Sequence, residues 1–176
     1  DAWYVGLLVA ALLSKALAIV FPPIVLLYDL LIRREKSAVA IARQVIPGLL
    51  TLLLLLYTMG AQNTVLGGVR GHMEFSLLKI MAIDVTILWQ YIGMLFCPTN
   101  LCVMYDPSTS GIATQVAIGS LAWTAVGYGL WRIRKSQPLW ILGATSFLLL
   151  LFPVLNFFRI TTLMNDRYLY LPCIVV

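Results

Sequence analysis

Ile41–Gly60 reads IARQVIPGLLTLLLLLYTMG, and its reading decides the fold class. Beyond Arg43 and Gln44 near the start it holds no charge or amide. About twenty such residues suffice for a helix to cross the hydrocarbon core of a bilayer. Pro47-Gly48 sits near its beginning, and Leu52–Leu56 is unbroken leucine, which implies lipid-facing packing and no chemistry of its own. The rest of the chain has the same character. Its 176 residues are 61% hydrophobic and 11% charged, with mean hydropathy +0.95. Soluble domains carry about a quarter charged residues. The expectation is an all-α, polytopic transmembrane helix bundle, multi-pass in a bacterial cytoplasmic or endoplasmic reticulum membrane.

The formal charge of +5 comes largely from two short runs, Arg33-Arg34-Glu35-Lys36 and Arg132–Lys135. Basic loops of this kind mark the cytoplasmic ends of spans. No basic patch interleaved with aromatics exists, so nucleic acid is not an expected partner. Cys97, Cys102 and Cys173 form no CxxC pair. Cys97 and Cys102 are close enough for a disulfide, while free thiols acting as small apolar groups satisfy the same pattern. A single histidine, His72, argues against a protein that binds many haems or pigments. No metal or cofactor is expected. The chain opens on Asp1-Ala2-Trp3 with neither initiator Met nor signal-peptide grammar, and it closes inside an apolar run. An internal piece of a larger protein is therefore expected.

Taken in order, residues 3–32 form one apolar run broken near 14–23. Ser14-Lys15 puts a cation in mid-run, where it faces a cavity, a partner or a phosphate, or else snorkels to an interface. Pro22-Pro23 removes two backbone donors and kinks or stops a helix. Asp29 reads as an interfacial acid beside Arg33 and Arg34. With Arg33–Lys36 cytoplasmic, residues 41–60 run outward, and Gly60–Gly71 (GAQNTVLGGVRG) reads as a flexible outer connector. Residues 73–96 are apolar but carry Glu74, Lys79, Asp84 and Gln90. Ser76, Lys79, Thr86 and Gln90 fall on one helical stripe, with Ile83 in the gap. If Arg132–Lys135 is cytoplasmic, this segment must begin and end on one face, which predicts an interfacial or re-entrant helix. Pro98–Gly111 is a turn-rich outer connection holding Asp106. Residues 112–131 span inward, 138–157 outward, and another span starts at 169–176.

The chemistry-bearing residues gather elsewhere than in these spans. Thr161–Pro172, TTLMNDRYLYLP, packs Asp166, Arg167, Tyr168 and Tyr170 between two apolar runs. An acid, a base and phenols at such a boundary suit a plain membrane–water interface. They equally suit a site that takes a charged lipid headgroup. There is no HExxH, no GxSxG, no zinc quartet and no dinucleotide fingerprint, and no spacing makes two carboxylates a catalytic pair. A secondary transporter would show an inverted repeat, and none is present. What remains is recognition: cations at the mouth of an apolar groove, with charge-assisted hydrogen bonds for a phosphate and a greasy track for its tail. Each of these residues would also serve as an ordinary interfacial anchor.

Three stretches carry a resemblance. LLSKALAIVFPPIVLLYDLLIRRE (Leu12–Glu35) looks like the "SKE…P…LLYDLL" stretch of the transmembrane and tetratricopeptide-repeat O-mannosyltransferases and their bacterial relatives. LWQYIGMLFCPTNLCVMYD (Leu88–Asp106) is similar to their "YL..LL.P..L..DY" segment through Tyr91, Leu95, Pro98, Leu101, Tyr105 and Asp106. Asp166–Pro172 resembles their "DRYLYLP". The resemblance implies a GT-C-type glycosyltransferase that moves a sugar from a polyprenyl-phosphate donor to an acceptor on the outer face. The family's catalytic acid lies in a loop N-terminal to these residues, and its repeat domain follows the last span. In that implied site Lys15 and Arg167 hold the donor phosphate and Asp166 orients Arg167, with Tyr168 beside it. His72, Lys79 and Asp106 line the outer face of the cavity. Only Lys15, Asp106 and Asp166–Tyr168 rest on motif matches. One departure is Ala16, where the family commonly has an acid. It favours the alternative of a non-enzymatic accessory subunit that binds membrane lipids and other membrane protein chains.

Overall fold

The structure is a computed structural model that describes residues 2–65, 77–98, 102, 105, 112–155 and 164–175. All regular structure among them is helical, so the chain is all-α. It divides into two compact units, 1–69 and 70–176.

In the first unit α1 is Ala2–Ser14, α2 is Phe21–Leu31 and α3 is Ser37–Val65, and a 3-10 turn, Ala16–Val20, joins α1 to α2. The break falls at Lys15, whose backbone is extended (φ −154°, ψ 125°). Pro22 and Pro23 lie in the first turn of α2. There a missing N–H costs nothing, because the first four donors of a helix have no intrahelical acceptor. The diproline thus begins a helix. Leu8, Leu12 and Ala18 form the buried core, with Tyr4, Ile19, Phe21 and Leu54 packed around it.

The elbow between α2 and α3 corrects the reading of Asp29 as an interfacial acid. Its side chain is 2% exposed and lies at the centre of an ion network. Arg43 reaches Asp29 at 3.1 Å and Glu35 at 3.0 Å, and Arg33 reaches the same two carboxylates at 3.4 and 3.5 Å. A buried carboxylate persists only when it is paired and hydrogen-bonded. The chain reverses at Arg34, the single non-glycine residue with positive φ among those described (53°), and the Glu35 N–H closes on the Asp29 carbonyl at 3.1 Å.

α3 is 29 residues long, about 43 Å at 1.5 Å per residue. It continues through Gly60 to Val65, so 61–65 are helical where the sequence suggested a connector. Pro47 is internal to it and removes the hydrogen bond that the Arg43 carbonyl would receive.

In the second unit α4 is Leu77–Phe96, α5 is Ile112–Ile133 and α6 is Pro138–Leu151, followed by 3-10 turns at Phe152–Val154, Asp166–Leu169 and Pro172–Val175. Ile83, Ile87, Tyr91, Phe147, Leu151, Met164 and Leu169 make one core. α5 approaches α4 at Gly119, whose carbonyl accepts from Trp89 Nε1 at 3.1 Å. A Cβ there would meet Trp89 Cδ1 and Val85 Cγ1, each at 3.1 Å. The polar stripe read along α4 is split: Ile83 and Thr86 are buried and Gln90 is exposed.

Two helical segments are long and apolar enough to cross a membrane, Ser37–Thr58 within α3 and Lys79–Phe96 within α4. Trp3–Ser14, Leu17–Leu31 and Pro138–Leu151 are shorter apolar helices.

Candidate functional site

The stretch Met164–Leu169 is fixed from beneath by a buried hydrogen-bond clasp. The Tyr91 hydroxyl, on α4, donates to the Asn165 carbonyl at 3.3 Å and accepts from the Asn165 N–H at 3.2 Å. Tyr91 and Met164 are 0% exposed and Asn165 is 4% exposed. One phenol therefore satisfies both backbone groups of a buried residue outside any helix, where unpaired groups would be costly. Asn165 in turn caps the next turn: its Oδ1 accepts from the Arg167 N–H at 3.0 Å. Asparagine suits this position because its short side-chain carbonyl reaches the N–H two residues on.

The cap starts the 3-10 turn Asp166–Leu169. Leu169 enters the core, and the turn then presents Arg167 outward, exposed, with half-buried Tyr168 beside it. The guanidinium carbon of Arg167 stands 5.5 Å from the Tyr168 ring centroid, within cation–π range. A delocalised cation with five donors, held against a ring on a rigid turn, is suited to an oxyanion such as a phosphate.

A second connection joins this turn. Tyr105 and Met164 form an antiparallel bridge, with the Tyr105 N–H donating to the Met164 carbonyl at 3.3 Å. The Tyr105 hydroxyl accepts from the Cys102 N–H at 2.6 Å. The two stretches quoted above around Tyr105-Asp106 and Asp166-Arg167 are thereby neighbours in space.

Of the residues expected from the sequence, Arg167 and Tyr168 stand together on this turn, and Asp166 begins it. Lys79 is half-buried in the first turn of α4, about 18 Å along the helix axis from Tyr91. His72 and Asp106 lie outside the described residues. Lys15 belongs to the first unit, where its side chain is exposed at the α1 break. Cys97, Cys102 and Cys173 are free and exposed. Sequence reasoning gave no role to Asn165 or Tyr91, although both lie inside the quoted motifs. The usable signal was an Asx residue directly before a helical turn.

An apolar groove of about 590 Å³ also opens in the second unit, between α4, α5 and α6. Trp123, Leu130, Leu139, Trp140, Ala144 and Leu148 are among its walls, and Trp123 packs on Trp89 with ring centroids 4.9 Å apart. No family model, curated protein or solved structure matches the chain.

Proposed function

We propose that this chain is the donor-binding membrane part of a GT-C-like glycosyltransferase, which moves a sugar from a polyprenyl-phosphate carrier to an acceptor on the outer face. The observation that carries the reading is the DRYL turn itself: Arg167 is exposed on a turn whose base is buried and fully hydrogen-bonded. An ordinary interfacial anchor needs a long side chain and no preorganised base beneath it. A phosphate site gains from one, because fixing the cation beforehand lowers the entropy lost on binding. The resemblance of Asp166–Pro172 to the mannosyltransferase motif supports the same reading. In it the chain crosses the membrane several times, Arg167 holds the phosphate and Asp166 orients Arg167. His72, Lys79 and Asp106 line the outer face.

The test is binding of a radiolabelled polyprenyl-phosphate sugar to the full-length protein in proteoliposomes. Arg167→Gln is expected to weaken binding at least about tenfold, since a charge-assisted hydrogen bond contributes about 1.5–3 kcal/mol. Unchanged binding by the folded variant would exclude the reading.

A second reading, a non-enzymatic accessory subunit, is favoured by one specific feature. Leu49, Leu52, Leu53 and Leu56 of α3 are each at least half exposed and form a continuous apolar face that a partner helix would cover. Co-purification of a stoichiometric membrane partner, with no donor binding, is the outcome that selects it.

A further inference from the structure

Leu130 and Leu139, which flank the α5–α6 turn, form one end of the apolar groove; Ile92 and Val175 belong to its lining further along. Along α6 the wall from Leu139 to Leu148 measures about 14 Å. The turn itself is basic. Residues 128–140, YGLWRIRKSQPLW, contain Arg132, Arg134 and Lys135 and no acid. Its backbone is tied down: the Ser136 and Gln137 N–H groups both donate to the Ile133 carbonyl, at 3.0 and 2.9 Å. Arg134 is committed to the turn, since Nη1 donates to the Trp131 carbonyl at 2.8 Å and its guanidinium lies 4.3 Å from the Trp131 ring centroid. Arg132 and Lys135 are exposed, and neither has an ion pair among the described residues.

Aromatic side chains mark the same end. Tyr128 stacks on Trp131, with centroids 6.1 Å apart, and Trp140 is 66% exposed at the rim. Tyr and Trp concentrate at headgroup level, where one edge of the ring is wet and the other apolar. The groove therefore begins at headgroup depth under two uncommitted cations and continues as hydrocarbon-lined space. Its volume lies inside the range of ligand sites, about 300–1,000 Å³.

We infer that this groove holds one acyl chain of an anionic phospholipid, whose phosphate is bound by Arg132 and Lys135 at the α5–α6 turn. Charge complementarity selects the occupant. A zwitterionic lipid would place its own cation against Arg132 and Lys135, and a bare apolar helix would leave them without a counter-charge. The inference requires only that the α5–α6 turn lie at the headgroup level of a membrane. It does not rest on sugar transfer, and the Arg167 site is not part of it.

The test uses the full-length protein in detergent, with native mass spectrometry of bound phosphatidylglycerol and of phosphatidylcholine carrying identical acyl chains. Phosphatidylglycerol is expected to be retained preferentially. Each basic side chain near an anionic surface contributes about fivefold in binding, so Arg132→Gln/Lys135→Gln should weaken phosphatidylglycerol about 30-fold and phosphatidylcholine little. Ala144→Trp, which fills the groove, should lower retention of both. Equal retention of the two lipids by the wild type, or no effect of the double substitution, overturns the inference. A readout on the wild-type protein stands even if a variant fails to fold. Phosphatidylglycerol with a photoactivatable acyl chain should crosslink to Leu130, Trp140, Ala144 or Leu148. Crosslinks confined to other helices, or a protein helix found seated in the groove, overturn it as well. Loss of donor binding in Arg167→Gln with phosphatidylglycerol retention unchanged would separate this site from the proposed function.

Discussion

Tyr91 and Asp29 are buried polar side chains that each depend on a partner from another element, Asn165 for Tyr91 and Arg43 for Asp29. Tyr91→Phe keeps the ring and removes one hydroxyl, leaving the Asn165 N–H without its partner, while the Asn165 carbonyl keeps the Tyr168 N–H at 3.1 Å. A stranded buried group costs about 1–3 kcal/mol, and a loss of that size is expected, read as a lower midpoint in denaturant titration. A change below about 0.5 kcal/mol would show that the clasp is not formed. The ion network makes an asymmetric prediction. Arg43→Met leaves Asp29 buried, with Arg33 at 3.4 Å as its remaining cation. Removing the closer of its two cations from a buried carboxylate destabilises the fold. Asp29→Asn still leaves Arg43 on Glu35 and should cost clearly less. Thermal unfolding of the two variants in one detergent orders them, and the reverse order refutes the network as described. The acids and bases of this elbow were plain in the sequence. Burial of Asp29 was not, because it depends on Arg43 folding back from the next helix.

At the scale of elements, Gly119 sets how closely α5 approaches α4. A methyl at Gly119 would stand 3.1 Å from Trp89 Cδ1, an atom of a rigid ring, and 3.1 Å from Val85 Cγ1, a methyl on a stiff β-branched side chain. Overpacking of this kind costs about 1–3 kcal/mol. Gly119→Ala is therefore expected to lower the melting temperature and to alter tryptophan fluorescence, because the added methyl pushes on the indole whose Nε1 bonds the Gly119 carbonyl. Gly127→Ala, on the same helix with open space around its Cβ position, should be neutral or slightly stabilising. If both glycines respond alike, helix propensity rather than close approach governs the site. Helices themselves were legible because their apolar runs are long. Their ends were less so. Val65 rather than Gly60 ends α3 since one internal glycine costs only about 1 kcal/mol, and Pro22-Pro23 opens α2 since prolines are tolerated in a first turn. The stripe on α4 misled for another reason: Thr86 turns its hydroxyl back to the Ile83 carbonyl at 2.7 Å and so can be buried without any polar cavity to face.

For the whole molecule, the question the helices raise is which connections share a membrane face. α5 is 22 residues long, about 33 Å, close to the roughly 30 Å of a hydrocarbon core. Gly119 meets Val85 and Trp89, Trp123 packs on Trp89 and Leu130 shares the groove wall with Phe96, so α4 and α5 run in the same direction and Cys97 lies at the same end as the Arg132–Lys135 turn. If the helices cross, Cys97 and the basic turn share a face, and the excess of cations assigns it to the cytoplasm. Cys97 is an exposed free thiol, so a membrane-impermeant maleimide should label it only after permeabilisation once Cys102 and Cys173 are replaced by Ser. A cysteine placed by Lys135→Cys in a background without the native three should behave in the same way. The same experiment decides the placement of α4. A cysteine introduced at Lys79, in its first turn, should be labelled from the side of Cys97 if the helix lies along the interface. If α4 crosses instead, as its length and apolar character permit, that cysteine should be labelled in intact cells, from the side opposite Cys97 and Lys135.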